Sequence, residues 1–193
     1  MPSVRADMTR GLATCSRPKA IRLGISRAMR SLPPILGHPE CTYLSNSGAK
    51  HLYAGMRAEN GPNADRWAMM GAAASFFMAL WNAPIRHKAI ENPIMLGHPR
   101  RLFGIPDPTQ TIQPYQFGHG ETKATCLWLH NLPPLVPTNL VEGREQRIWR
   151  MGPGPERKKE RSRTFQGIAD AMADQWGNYI REHNPDLIER MAA

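Results

Sequence analysis

The sequence predicts an α/β domain, and three observations carry that prediction. A long apolar-striped helix around residues 64–81 is followed at once by a short apolar run, Ile85 to Ile90, that ends in a polar segment. Two further strand-like runs follow at 112–117 and 124–130. A second amphipathic helix closes the pattern at about 164–183. A helix leading into a strand with a polar end is the arrangement of α/β sheets, where ligands bind beyond the carboxyl ends of strands.

The elements follow in chain order. Residues 1–31 show no period, because Pro2, Gly11, Pro18 and Gly24 interrupt every pattern; 20–29 could form one short helix, and the segment is expected to be poorly ordered. Ile35 and Leu36 are read as the end of a short strand, with a turn over 38–44. Asn63 is a good N-cap, with Asp65 in the first turn. Trp67, Met70, Ala74, Phe77 and Trp81 then recur at spacings of three and four, and Pro84 stops the helix. The strand at 85–90 is expected to end at Glu91-Asn92-Pro93, read as a turn. In 124–130, Thr125, Leu127 and Leu129 alternate with Cys126, Trp128 and His130. Gly118-His119-Gly120 turns between the last two strands, and 132–139 is a proline-rich connector. The charged, Gly/Pro-rich stretch 142–163 reads as a mobile basic loop. Ile168, Met172, Trp176 and Tyr179 stripe the final helix.

A chain of 193 residues with 41% hydrophobic residues suits one domain of ordinary size. Its 18 prolines and 16 glycines demand many loops. The net charge of +9 is concentrated, with +6 in residues 1–35 and +4 in 150–163. Such a balance suits polyanionic partners such as nucleic acid, or simply a solvated surface. Three widely spaced cysteines, Cys15, Cys41 and Cys126, argue against a disulfide framework and for a reducing cytoplasm. No apolar run approaches the ~18 residues of a membrane span. The Arg-rich, acid-poor N-terminus resembles a transit peptide in composition.

The chemistry concentrates in Gly37-His38-Pro39-Glu40-Cys41-Thr42-Tyr43-Leu44 and in Glu91-Asn92-Pro93. A cysteine on one turn and a carboxylate on another suit covalent attack on a pyrimidine ring: the thiolate adds to carbon and the acid protonates the ring nitrogen that receives the electrons. His38 and exposed backbone N–H groups are candidates for activating the thiol. Read alone, Cys41 is more commonly a small buried residue, and Glu91 is at least as readily a turn carboxylate binding backbone N–H groups. His38-Pro39-Glu40 matches the H-x-E opening of zinc deaminases, but the P-C-x-x-C half is missing. The seven histidines contain no H-x-x-x-H pair, so no metal site is expected. Neither G-x-G-x-x-G nor a Walker loop occurs; Gly118-His119-Gly120-Glu121 with Lys123 could hold a phosphate or merely turn a hairpin.

From about Gly37 to Trp176 the chain resembles phage and prophage proteins related to DNA cytosine C5 methyltransferases. The resemblance is carried by Ile112-Gln113-Pro114-Tyr115-Gln116-Phe117-Gly118-His119, by Cys126-Leu127-Trp128-Leu129, by Leu132-Pro133-Pro134-Leu135-Val136-Pro137-Thr138, and by Arg161-Ser162-Arg163-Thr164-Phe165 with Gly167-Ile168-Ala169. It implies an incomplete Rossmann-like methyltransferase sheet with flanking helices over 37–193, behind a basic, irregular and disordered segment 1–36. In that family a Pro-Pro-Cys loop carries the nucleophile, so Pro39-Glu40-Cys41 implies Cys41. A Glu-Asn-Val turn contacts the base, so Glu91-Asn92-Pro93 implies Glu91 as acid, with Pro39, Asn92, Pro93, Arg161 and Arg163 against the substrate. Gly167 and Ile168 would complete a site for S-adenosylmethionine. The implied partner is double-stranded DNA, with no membrane, in the cytoplasm of a bacterial host.

Two departures qualify the match. Glu40 stands where the family has proline and should oppose ionisation of the thiol. The family's first strand and glycine loop have no counterpart before Gly37, and residues 1–36 read like an altered start joined to a genuine domain. A non-catalytic DNA-binding remnant and an enzyme acting on free pyrimidine nucleotides therefore remain alternatives.

Overall fold

The computed structural model describes residues 34–183. Its elements are β1 (Ile35–Gly37), α1 (Cys41–Leu44), α2 (Ala64–Asn82), β2 (Lys88–Pro93), α3 (Gly97–Phe103), β3 (Gln110–Ile112), β4 (Thr125–His130), α4 (Arg147–Arg150), α5 (Pro155–Ser162), α6 (Gln166–Ala171) and α7 (Gly177–His183). Short 3₁₀ turns connect α1 to α2, and one lies at Pro114–Gln116. The four strands form one open mixed sheet in the order β1-β2-β4-β3. β1 runs parallel to β2, and β4 runs antiparallel to both of its neighbours. The strand thus begins at Ile35, two residues before the Gly37 boundary, and the expectations for 1–31, the short helix at 20–29 among them, lie outside the described residues.

Helices cover both faces of the sheet. On one face Ile90, Cys126 and Trp128 pack against Ala73, Ala74 and Phe77 of α2. On the other, Ala89, Leu127 and Leu129 pack against Ile168, Ala171, Met172 and Trp176. The alternation in β4 therefore sorts its side chains between two cores, and only His130 is exposed. Phe77 and Trp128 meet edge to face at 5.0 Å. Indole N–H groups pin the loops: Trp128 donates to Pro106 O, and Trp176 donates to Pro133 O, each at 2.9 Å. Among the described residues no helix is long and apolar enough to cross a membrane.

The expected capping of α2 is present: Asn63 Oδ1 accepts from Arg66 N at 3.1 Å, and the helix ends at Asn82, before Pro84. Four expectations need correction. Residues 41–44 are a helical turn whose first position is Cys41. Glu91, Asn92 and Pro93 lie inside β2, paired with Leu127, Cys126 and Thr125. A proline drives its predecessor toward extended backbone, which continues a strand as readily as it ends one, and Pro93 takes the last position, where a missing N–H costs least. The strand expected at 112–117 stops at Ile112, because Pro114 opens a 3₁₀ turn closed by reciprocal Gln113 and Gln116 contacts. The basic stretch contains α4 and α5; Gly154 precedes Pro155 at the first helical position, and Arg147 bridges Glu121 and Glu160.

The final helix is interrupted by a π turn at Met172–Trp176 between α6 and α7. The wider turn keeps the apolar stripe on the core by shifting it, so Ile180 is buried and Tyr179 only half so. α6 sits very close to the 3₁₀ turn at 114–116: a Cβ on Gly167 would lie 1.9 Å from Phe117 O. We expect Gly167→Ala to destabilise the fold by about 1–3 kcal/mol, the range for overpacking, measured as a lowered denaturation midpoint in urea.

Candidate active site

The parallel pair β1 and β2 ends with its carboxyl ends together, and the chain leaves β1 directly into His38-Pro39-Glu40-Cys41. Gly37 is level with Ile90, so His38 comes opposite Glu91. His38 Nδ1 donates to Glu91 Oε2 at 2.7 Å, with the imidazole half exposed and the carboxylate 16% exposed. His38, considered above as an activator of the thiol, is thus committed to the carboxylate. That contact raises the imidazole pKa above its ordinary 6.5, with partial burial opposing it.

Cys41 begins α1 and is partly buried. Glu40 caps the turn, accepting from Thr42 N at 3.1 Å. The turn is anchored to the chain that follows β2 by Asn46 N to Ile94 O at 2.7 Å and Leu96 N to Leu44 O at 2.8 Å. Burial pushes the thiol pKa above its ordinary value, and the charges of Glu40 and Glu91 push it further; Arg161 and Lys123 oppose them. The penalty expected from Glu40 is therefore present, but desolvation is the larger cause.

Lys123 and Arg161 reach this site from distant parts of the chain. Lys123 donates to Arg163 O at 2.6 Å, and burial lowers its pKa although Glu91 and Cys41 favour its charge. Arg161, on α5, donates to Ser47 Oγ at 2.8 Å and Ser45 Oγ at 3.4 Å. The structure thus couples Cys41 electrostatically to Glu91, Arg161 and Lys123, with His38 bonded to Glu91.

The remaining candidates fall elsewhere or have structural work. Pro39 is buried between His38 and Glu40. Asn92 is fully buried, with Nδ2 donating to Pro93 O at 2.8 Å and Oδ1 without a partner. Its place is inside the β2–β4 ladder, as is that of Pro93, so neither offers the turn contact that was expected. The Arg163 side chain is exposed. Gly167 donates its N–H to His119 Nε2 at 3.1 Å and has the close approach to Phe117 already described; Ile168 is 2% exposed in the core. Both residues pack the fold, and neither fits a group that would contact S-adenosylmethionine. Glu121 pairs with Arg147, and Gly118 N donates to Asn139 O while Glu145 N donates to Gly120 O, so the segment 118–122 packs along 139–145. Among the described residues no cluster of three or more His, Cys, Asp or Glu side chains could hold a metal.

Comparison of the chain with protein-family models, with curated proteins and with solved structures returns no match.

The ion pair yields a pH prediction. A folded-state imidazole pKa above 6.5 means that the His38–Glu91 contact contributes fully below pH 6.5 and is lost as pH rises through the raised value. The difference in Tm between wild type and His38→Asn should be widest just below pH 6.5 and close on the alkaline side. The thiol yields another: at neutral pH, iodoacetamide should alkylate Cys41 faster in Glu40→Gln than in wild type and more slowly in Arg161→Met, read by mass spectrometry of the Cys41 peptide.

Proposed function

We propose that the chain is a DNA cytosine C5 methyltransferase-like protein of phage or prophage origin, acting in a bacterial cytoplasm, whose described residues supply the base-activating half of the reaction. The observation that carries this reading is the meeting of His38 and Glu91 at 2.7 Å beside Cys41. The sheet order supports it, since a parallel pair delivers both motifs to one edge, as a Rossmann-like sheet lacking its first unit would.

In this mechanism a cytosine leaves the base stack, at a cost of a few kcal/mol. Sγ of the Cys41 thiolate bonds to C6, the C5=C6 π bond breaks, and the displaced electrons pass toward N3. The His38 imidazolium passes a proton through Glu91 to N3, and solvent reprotonates the half-exposed His38. C5 is now nucleophilic and takes an electrophile. Water takes the C5 proton as Sγ leaves C6, which restores the C5=C6 double bond, and N3 returns its proton to Glu91. Bound S-adenosylmethionine would supply an electrophilic methyl group; because Gly167 and Ile168 do not fit it, no step is assigned to it. With a solvent deuteron as electrophile the cycle balances with water alone and exchanges the cytosine C5 hydrogen.

A specific observation favours a second reading. Burial raises the thiol pKa and Glu40 and Glu91 add to it against Arg161 and Lys123, a direction that suits a non-catalytic DNA-binding relative. Its basic α5 would then give salt-dependent, sequence-independent affinity for duplex DNA.

The test is exchange of the cytosine C5 hydrogen of duplex DNA in heavy water, alongside transfer of labelled methyl from S-adenosylmethionine. We expect exchange with wild type, none with Cys41→Ser, and a loss of about 10²–10⁴-fold with Glu91→Gln, the usual worth of a general acid. A protein that binds DNA but shows neither exchange nor transfer is the non-catalytic relative.

A further inference from the structure

A pocket of about 430 Å³ opens beside the Cys41 turn. Thr42, the residue after the cysteine, lines it, followed by Ser45, Ser47 and Gly48. Two guanidinium groups enter it, Arg66 from α2 and Arg161 from α5. No aspartate or glutamate lines it, and among the described residues neither arginine forms an ion pair. Two cations that form no ion pair among the described residues, held next to hydroxyl groups, make a site for an anion.

The site is built in advance. Arg66 donates to Thr42 O, lies over the Tyr43 ring at 4.4 Å, and keeps a buried Nε with no hydrogen-bond partner. Gly48 makes room for it, because a Cβ there would lie 2.8 Å from Arg66 Nη2 and 3.1 Å from Thr42 O. Ser45 Oγ and Ser47 Oγ are 3.0 Å apart, and Arg161 joins them. His51, also in the lining, has its pKa lowered by burial and by the charges of Arg66 and Lys50, which marks the same positive potential. Arg161 acts on Cys41 as well, so the anion site and the thiol share one residue.

We propose that this pocket is the phosphate subsite for the substrate: Ser47, Arg66 and Arg161 hold a phosphodiester of the target nucleotide, with the adjoining sugar in the remaining volume. The inference rests on the reading that a pyrimidine ring lies against Cys41 and Glu91. The substrate is then a nucleotide within a strand, and a free base or nucleoside lacks the group that anchors it.

Calorimetry on Cys41→Ser, with no covalent step to complicate binding, tests this with deoxycytidine, deoxycytidine monophosphate and a short cytosine-containing deoxyoligonucleotide. We expect the oligonucleotide to bind tightest and the nucleoside weakest, with about tenfold separating nucleoside from nucleotide, the worth of one charge-assisted hydrogen bond. Adding Arg161→Met or Ser47→Ala should each weaken the phosphorylated ligands about tenfold by the same reckoning and leave deoxycytidine unchanged. Equal affinity for nucleoside and nucleotide, or no effect of either substitution, overturns the subsite. A monophosphate that binds as tightly as the oligonucleotide overturns the phosphodiester assignment and identifies a free nucleotide as the ligand. If oligonucleotides without cytosine bind equally well and both substitutions still weaken them, the phosphate subsite stands and the cytosine reading falls.

Discussion

Everything at the site depends on the register of the parallel pair β1 and β2. Three residue pairs join the strands, ending with Gly37 level with Ile90. β2 continues past that point while β1 turns away, so the Glu91 carboxylate emerges where the chain from β1 departs. His38 meets it there and Cys41 follows within three residues. A shift of one residue would turn Glu91 toward the opposite face of the sheet, because side chains alternate along a strand. The register is held from both sides: Ala89 and Ile90 are buried in opposite cores, and β2 pairs with β4 along its whole length. Gly37 belongs to the same constraint, since a Cβ there would meet Leu80 Cδ1 of α2 at 3.0 Å.

The basic α5 acquires a definite place from this geometry. Arg147 ties α4 to Glu121 and α5 to the same point through Glu160, and Lys123 holds the end of α5 by donating to Arg163 O. These contacts bring Arg161 over the α1 turn, 114 residues from Ser47 in sequence. One guanidinium then lowers the cost of ionising Cys41 and also lines the neighbouring pocket. Exposed ion pairs of this kind contribute little to stability individually, typically about 0–1 kcal/mol. Their effect here is positional.

How much of this was legible from residues follows from the range of each interaction. α2 was readable almost to its ends, because Asn63 and Pro84 act on their own neighbours. β4 was readable from alternation, although its two burials required both helix layers. Glu91 was identified as chemistry but misplaced in a turn, since local proline rules leave open whether an extended residue ends a strand or extends it. The helices within 142–163 were hidden by high charge, which removes the apolar period that marks a helix. Cys41, Glu91 and Arg161 could be named singly. The pocket could not, because Arg66 looked like any helical arginine until tertiary contacts set it against Gly48 and Thr42.

Glu40 has two opposed effects on the nucleophile. Its carboxylate opposes ionisation of the adjacent thiol, so its removal favours the nucleophile. The same carboxylate accepts from Thr42 N and fixes the start of the turn on which Cys41 sits. Loss of such a cap costs about 1 kcal/mol, and here that loss would fall on the four residues that place the thiol beside Glu91. A proline at 40 would remove the charge and the cap together and would have to hold the turn by its restricted φ alone. Glutamine would keep an acceptor for Thr42 N without the charge. Orientation and ionisation of the nucleophile are therefore set against each other by a single side chain, and the cations Lys123 and Arg161 are what offset it.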